Sequence, residues 1–146
     1  GLDFHFERAR PGNTFDAHRL IHLAGEHGKQ DAMKERLLRA YMTEGAAIGD
    51  RGALVELAVE VGLDADEARA ALSSERFSDE VRADEREARE IGIRGVPFFV
   101  FDGRLAVSGA QPAEVLLGAL ERAKADRAVR EPELVEGAAC GPDGCG

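Results

Sequence analysis

Ile91-Gly-Ile-Arg-Gly-Val-Pro-Phe-Phe-Val-Phe-Asp-Gly-Arg-Leu-Ala-Val-Ser-Gly109 is the stretch on which the fold turns. Here the apolar pattern changes from a helical period to simple alternation. Phe98 to Phe101 and Arg104 to Ser108 are rich in aromatic and β-branched residues. They flank Asp102-Gly103, the strongest hairpin signal in the chain. Pro97 opens the first strand and Gly109 closes the second. Gln111-Pro112-Ala113-Glu114 then starts a helix with proline at its first position, and Val115, Leu116, Ala119, Leu120 and Ala123 form its apolar stripe.

Upstream of this hairpin the chain reads as helices. Asn13 or Thr14 caps a helix from Phe15 to about His27, with Phe15, Leu20, Leu23 and Ala24 on one face and Gly28 as its stop. A second runs from about Asp31 to Ala47 through Met33, Leu37, Leu38, Tyr41 and Met42. Asp50 caps a third, whose stripe is Leu54, Leu57, Ala58 and Val61. Asp64 and Glu67 make a capping box for a fourth, Ala65 to Ser73. A charged fifth runs from Ser78 to Ile91, with Val81, Ala88 and Ile91 inward and Gly92 as the stop. Ahead of them all, Leu2-Asp3-Phe4-His5-Phe6 alternates like a short strand, and Pro11-Gly12 ends it.

Composition narrows the functional classes. With 146 residues, 44% of them hydrophobic, there is material for one domain with a sizeable core. Lys and Arg number 19 against 28 Asp and Glu, a net charge of −9, so the surface repels phosphate backbones. Trp is absent and aromatic residues are only 5%, so the usual platform for stacking bases is missing. Nucleic acid is therefore not an expected partner. No apolar run approaches the ~20 residues of a membrane span, so a membrane is not expected either. The chain opens on Gly1-Leu-Asp-Phe, without an initiator Met or a basic-then-apolar leader, and an N-terminal truncation is the expectation.

The strand inventory points the same way. A two-stranded hairpin is marginal alone in water, and Leu2–Phe6 has no strand partner close in sequence. A βαβ unit of about 30 residues or more ahead of Gly1 would join them.

Three segments now carry a resemblance: Asn13-Thr-Phe-Asp-Ala-His-Arg19, Gly95-Val96-Pro97 and Gly109-Ala-Gln-Pro112. In this order and spacing the chain resembles the C-terminal two-thirds of a DsbA-family thiol oxidoreductase of the FrnE-like branch, up to about Asp126. The first segment is also similar to one in the related 2-hydroxychromene-2-carboxylate isomerases. The resemblance implies an α/β, thioredoxin-like fold with a helical insertion, here lacking the first β-α unit. Residues 1–12 and 93–127 would form the thioredoxin-like part, 13–92 the helical insertion, and 128–146 a flexible tail with both cysteines. It implies that Pro97 is a cis-proline beside the redox site and that the backbone of Val96 docks an extended substrate. The local sequence alone fits equally an ordinary trans proline at the head of an edge strand. The family's Cys-x-x-Cys is not in this chain, and an attacking thiolate is expected upstream of Gly1.

Cys140-Gly-Pro-Asp-Gly-Cys145 holds the only two cysteines. Pro, Asp and Gly in this order favour a type I turn, which makes a disulfide between the two geometrically reasonable. Closing so small a loop in a tail contributes little to a core. Resemblance to FrnE-like proteins implies that Cys140 and Cys145 act as an auxiliary dithiol passing redox equivalents to the main site. A passive disulfide or an idle dithiol fits the same residues, and zinc would need more ligands than they supply.

Other candidates have plain structural readings beside the functional ones. His18 and His22, one turn apart, are substrate or metal contacts, or else two partly buried or surface histidines. Asn13 and Thr14 are substrate contacts or a helix cap. Met33, Tyr41 and Met42 line a peptide groove or fill a core. The run Glu75–Glu90 is a solvated face with i,i+4 pairs such as Glu85–Arg89. The expected function is protein thiol–disulfide exchange in the cytoplasm, with no metal or organic cofactor. Its expected partners are protein or peptide thiols and disulfides, with a homodimer also allowed for. The same fold also serves glutathione-dependent isomerases and kappa-class transferases, and a non-catalytic peptide-binding module is the third reading.

Overall fold

The computed structural model describes residues 2–128. It contains α1 (Phe15–Glu26), α2 (Gln30–Arg39), α3 (Arg51–Glu60), α4 (Ala65–Ser73) and α5 (Ser78–Ile91). The strands β1 (Phe98–Phe101) and β2 (Leu105–Ser108) and a last helix, α6 (Ala113–Ala128), follow. The chain divides into two compact units, Gly1–Ile91 and Gly92–Gly146. No described helix is long and apolar enough to cross a membrane.

The first unit is helical and is built round α1, which packs against α2, α3, α4 and α5. Leu20, Leu23 and Ala24 of α1 meet Met33 and Leu37 of α2, Leu54, Leu57 and Ala58 of α3, and Ala68, Ala71 and Leu72 of α4 in one apolar cluster. Leu20, Leu23, Met33 and Leu54 are fully buried, each contributing about 1.5–3 kcal/mol from its removal from water. Asp50 caps α3 by accepting from the Ala53 N–H at 2.9 Å. Asp64 caps α4 by accepting from Asp66 and Glu67 at 2.9 and 2.8 Å. Only this half of the expected capping box forms, because the Glu67 carboxylate is drawn away to His27 and Arg76.

Three elements differ from the sequence reading. The second helix is not α-helical to Ala47. It turns into a π-type turn over Ala40–Glu44 that ends at Gly45 (φ 71°), where the Ala46 N–H reaches back to the Ala40 carbonyl at 2.9 Å. The main chain of Arg8 lies against this corner, so a Cβ on Gly45 would stand 2.7 Å from the Arg8 carbonyl oxygen. Leu2–Phe6 forms no strand. The His5 N–H donates to Met42 O at 2.7 Å, Thr43 Oγ1 donates to the Asp3 carbonyl at 2.7 Å, and Phe6–Arg8 makes a 3-10 turn. Alternation sets which side chains share a face but supplies no partner, and the two described strands pair with each other. On α5 only Val81 is buried; Ala88 is half-buried and Ile91 exposed.

The second unit is an antiparallel hairpin with α6 against both strands. Phe98 stands opposite Ser108, Phe99 opposite Val107, Val100 opposite Ala106 and Phe101 opposite Leu105. Asp102 and Gly103 take φ of 52° and 66°, the left-handed pair of an I′-type turn. Arg104 belongs to the turn rather than to β2, because its N–H closes on Phe101 O at 3.1 Å. On α6, Ala123 is buried and Leu116 and Ala119 half-buried, whereas Val115 and Leu120 of the expected stripe are exposed.

Candidate functional site

Gly92 (φ 85°) breaks α5, and five residues later β1 begins behind Pro97. The Val96–Pro97 peptide bond is cis. The Pro97 carbonyl accepts from the Gly109 N–H at 2.9 Å, which ties the two ends of the hairpin together. Gly109 takes φ 83°, and Gln111 Nε2 donates to the Ser108 carbonyl at 3.0 Å. The sequence Gly109-Ala-Gln-Pro112 is thereby held against Gly95-Val96-Pro97. Val96 is 90% exposed, and its N–H and carbonyl have no hydrogen-bond partner among the described residues. This pair, Val96 and Pro97, presents an open stretch of main chain at the head of a strand. Cys140 and Cys145 lie outside the described residues.

A second cluster lies wholly within the helical unit. Asn13, Thr14, Phe15 and His18 at the start of α1 face Val81, Arg82, Asp84 and Glu85 of α5 across a groove of about 510 Å³. Asn13 Oδ1 accepts from the Phe15 N–H at 2.8 Å, and the Thr14 side chain makes no cap bond. Arg82 lies over the Phe15 ring, 4.4 Å from its centre, and pairs with Glu85 at 2.8 Å. That guanidinium holds the Glu85 carboxyl below the ordinary carboxylate value, with smaller help from Arg89 and His18. The Glu85–Arg89 pair is longer, at 4.0 Å. One turn on from His18, His22 Nε2 sits 2.8 Å from Asp84 Oδ2, and its ring stacks on Phe77. The sequence pair His18 and His22 thus faces one helix, α5. Of the Met33, Tyr41 and Met42 stripe, Met33 is buried in the core and the other two are half-buried.

Two buried arginines were not singled out in the sequence. Arg19 is 2% exposed. Its Nη1 donates to Asp16 Oδ1 at 2.8 Å and its Nε to the Arg76 carbonyl at 2.8 Å. Its Nη2 reaches the carbonyls of Ala71 and Ser74. Asp16 also accepts from Arg51 Nε at 2.7 Å. Burial pushes the Asp16 carboxyl up, but hydrogen bonds from Arg51 and Arg19 outweigh it and hold it below the ordinary value. Arg36 joins α2 to Glu60 at 2.6 Å and to Glu44 at 2.8 Å; these partners, Glu60 foremost, raise its pKa. The available signal was periodicity. Arg19 lies one turn before Leu23, and Arg36 falls between Met33 and Ala40, both at core-facing spacing. A charge at such a position, with carbonyls or carboxylates to meet it, is a buried tie.

Both clusters lie within the part of the chain that a known family matches. Residues 1–121 match the family described as the DSBA-like thioredoxin domain. YwbO of Bacillus subtilis, itself uncharacterised, is 32% identical over 117 residues, covering 79% of this chain and 58% of that protein. The crystal structure of a probable DsbA oxidoreductase from Streptomyces coelicolor superposes with a TM-score of 0.82 at 48% identity, covering 100% of this chain and 62% of that one. The chain thus spans about three-fifths of the length of these relatives. With its helical unit, its hairpin and its closing helix all matched, the chain belongs to the DsbA-like thioredoxin family and has its α/β fold.

Proposed function

We propose that this chain forms the substrate-docking part of a protein thiol–disulfide oxidoreductase of the FrnE-like branch. The observation that carries the reading is the exposed, unpaired main chain of Val96 at the head of β1, in a chain of this family. An extended peptide pairs with Val96 beside Pro97. A thiolate from a Cys-x-x-Cys N-terminal to Gly1 attacks one sulfur of the substrate disulfide. The other sulfur leaves as a thiolate and takes a proton. The second cysteine of the pair then attacks the mixed disulfide, which releases the substrate dithiol and leaves the pair oxidised. Run in reverse, the same steps oxidise a substrate dithiol. Cys140 and Cys145, as the auxiliary dithiol, give up two electrons to the oxidised pair and become the disulfide themselves. No metal or organic cofactor enters. Residues 1–12 and 93–127 serve as the thioredoxin-like part and 13–92 as the helical insertion. The compartment assigned is the cytoplasm, and the partners are protein or peptide thiols and disulfides.

The test uses the natural protein with its own N-terminus, a peptide disulfide as substrate, and alkylation to trap mixed disulfides. A trapped adduct on an upstream cysteine is expected, with recycling but not attack slowed in the C140S/C145S variant. Peptide binding that persists in a cysteine-free variant, with no exchange in the parent, would overturn this reading in favour of a binding module. An upstream serine with glutathione dependence would move it to the isomerase branch.

A further inference from the structure

We propose that His18 and His22 of α1 and the carboxylates of α5 form a proton-operated clasp that tightens α5 on α1 as the pH falls, with His27 and Glu67 making the matching contact to α4. Three of the four histidines belong to this helix: His18 and His22 within it and His27 at its C-terminal cap. Each meets an acid on another helix. His22 Nε2 is 2.8 Å from Asp84 Oδ2, His27 Nε2 is 2.9 Å from Glu67 Oε2, and His18 shares its groove with Asp84 and Glu85. The arrangement is independent of any thiol chemistry.

Several cations on the elements round α1 already have partners. On α5, Arg82 and Arg89 pair with Glu85. In the connection from α4 to α5, Arg76 binds Glu26 and Glu67 at 2.5 and 3.0 Å and lies over Phe77. On α3, Arg51 is taken by Asp16, and on the α2 side Arg36 is taken by Glu44 and Glu60. Lys29, before α2, donates to the Gly62 carbonyl. Histidine is the residue type whose ordinary charge change falls between about pH 5 and 8, and on this surface it is placed against carboxylates.

Why α5 should respond follows from its packing. Val81 is its only buried residue, so polar contacts carry an unusual share of its attachment. A neutral imidazole gives a carboxylate one hydrogen bond. An imidazolium adds a positive charge to it, and the Coulombic attraction of the two opposite charges strengthens the contact. Over the range in which a carboxylate is ordinarily charged, each proton taken up by an imidazole strengthens such a contact. α5 leads in sequence straight into Gly92–Pro97, so the clasp holds the helix that precedes the docking segment.

Hydrogen exchange on the full chain at pH 5.5 and 7.5, corrected for intrinsic exchange rates, tests this directly. Amides of residues 78–91 are expected to be about threefold or more better protected at pH 5.5. The D84N variant should lose most of that difference while keeping its protection at pH 7.5. H5Q serves as the control, since His5 pairs only with Glu7, away from α5. Equal protection at the two pH values, or a pH effect that survives in both D84N and H22Q, would overturn the clasp.

Discussion

Arg19 is the side chain whose loss this molecule would feel most. It carries a charge at 2% exposure and satisfies three main-chain carbonyls, of Ala71, Ser74 and Arg76, besides its pair with Asp16. Those carbonyls belong to the last turn of α4 and the connection that follows it to α5, where Phe77 holds a left-handed φ of 65° although it is not glycine. A bulky residue stays there only when its surroundings fix it, and the arginine together with the burial of the Phe77 ring does so. R19A takes their donor from the Ser74 and Arg76 carbonyls and a partner from Asp16, while Ala71 O keeps Ser74, and should cost about 3–5 kcal/mol in denaturant unfolding. R19K keeps the charge without the planar fork and is expected to recover only part of this. Asp16 gives the pH dependence of the same tie. Its pKa is lowered in the folded state, so its stabilisation is present above the unfolded carboxylate value and is lost as pH falls through the folded one. The urea midpoint should therefore drop below about pH 4, and D16N should show a lower midpoint at neutral pH with a shallower acid limb.

At the scale of elements, the corner after α2 offers the cleanest test. Gly45 combines a φ of 71° with the Arg8 main chain at 2.7 Å from any added Cβ. Gly45→Ala should cost about 1–3 kcal/mol, read as a lower thermal midpoint, whereas the same change at Gly25, with open space and no positive φ, should be neutral or slightly stabilising. The boundaries of α3, α4 and α5 were legible because Asp50, Asp64, Gly62 and Gly92 mark them chemically. The hairpin was legible from Asp102-Gly103. The π-type turn was not, since Tyr41 and Met42 continue a helical stripe, and the break comes from a main-chain contact with Arg8 distant in sequence. Leu2–Phe6 misled for a related reason: alternation is local, whereas a strand exists only with a neighbour. Of the candidate site, Val96 and Pro97 enter only through the family resemblance, since the local sequence fits an ordinary trans proline at an edge strand equally. The partners of His18 and His22 were not legible, because Asp84 and Glu85 lie some 60 residues away and look like any solvated face.

On the scale of the whole molecule, the two units are unequal in what they bury. Gly1–Ile91 holds a continuous core drawn from four helices and the segments between them. Among the described residues of the second unit only Ala123 is buried, while Phe99, Val100, Val115, Leu117 and Leu120 are exposed. If the chain is cut at an engineered protease site between Ile91 and Gly92, residues 1–91 should retain a cooperative helical melt. The piece from Gly92 should lose its hairpin when isolated. Circular dichroism and amide chemical-shift dispersion on the separated pieces check this; two folded pieces would contradict it.

The open main chain before β1 has a consequence for selectivity. Within the Val96–Pro97 pair, proline has no N–H to give and its carbonyl is spent on Gly109. Under the docking role proposed above, a visiting strand finds only the donor and acceptor of Val96. Two such bonds amount to about 1–3 kcal/mol, too little to hold a guest for long, and they grip only the atoms that every polypeptide shares. On that role, contact at this point is brief and indifferent to the visitor's side chains, and discrimination among clients has to be exercised elsewhere on the surface.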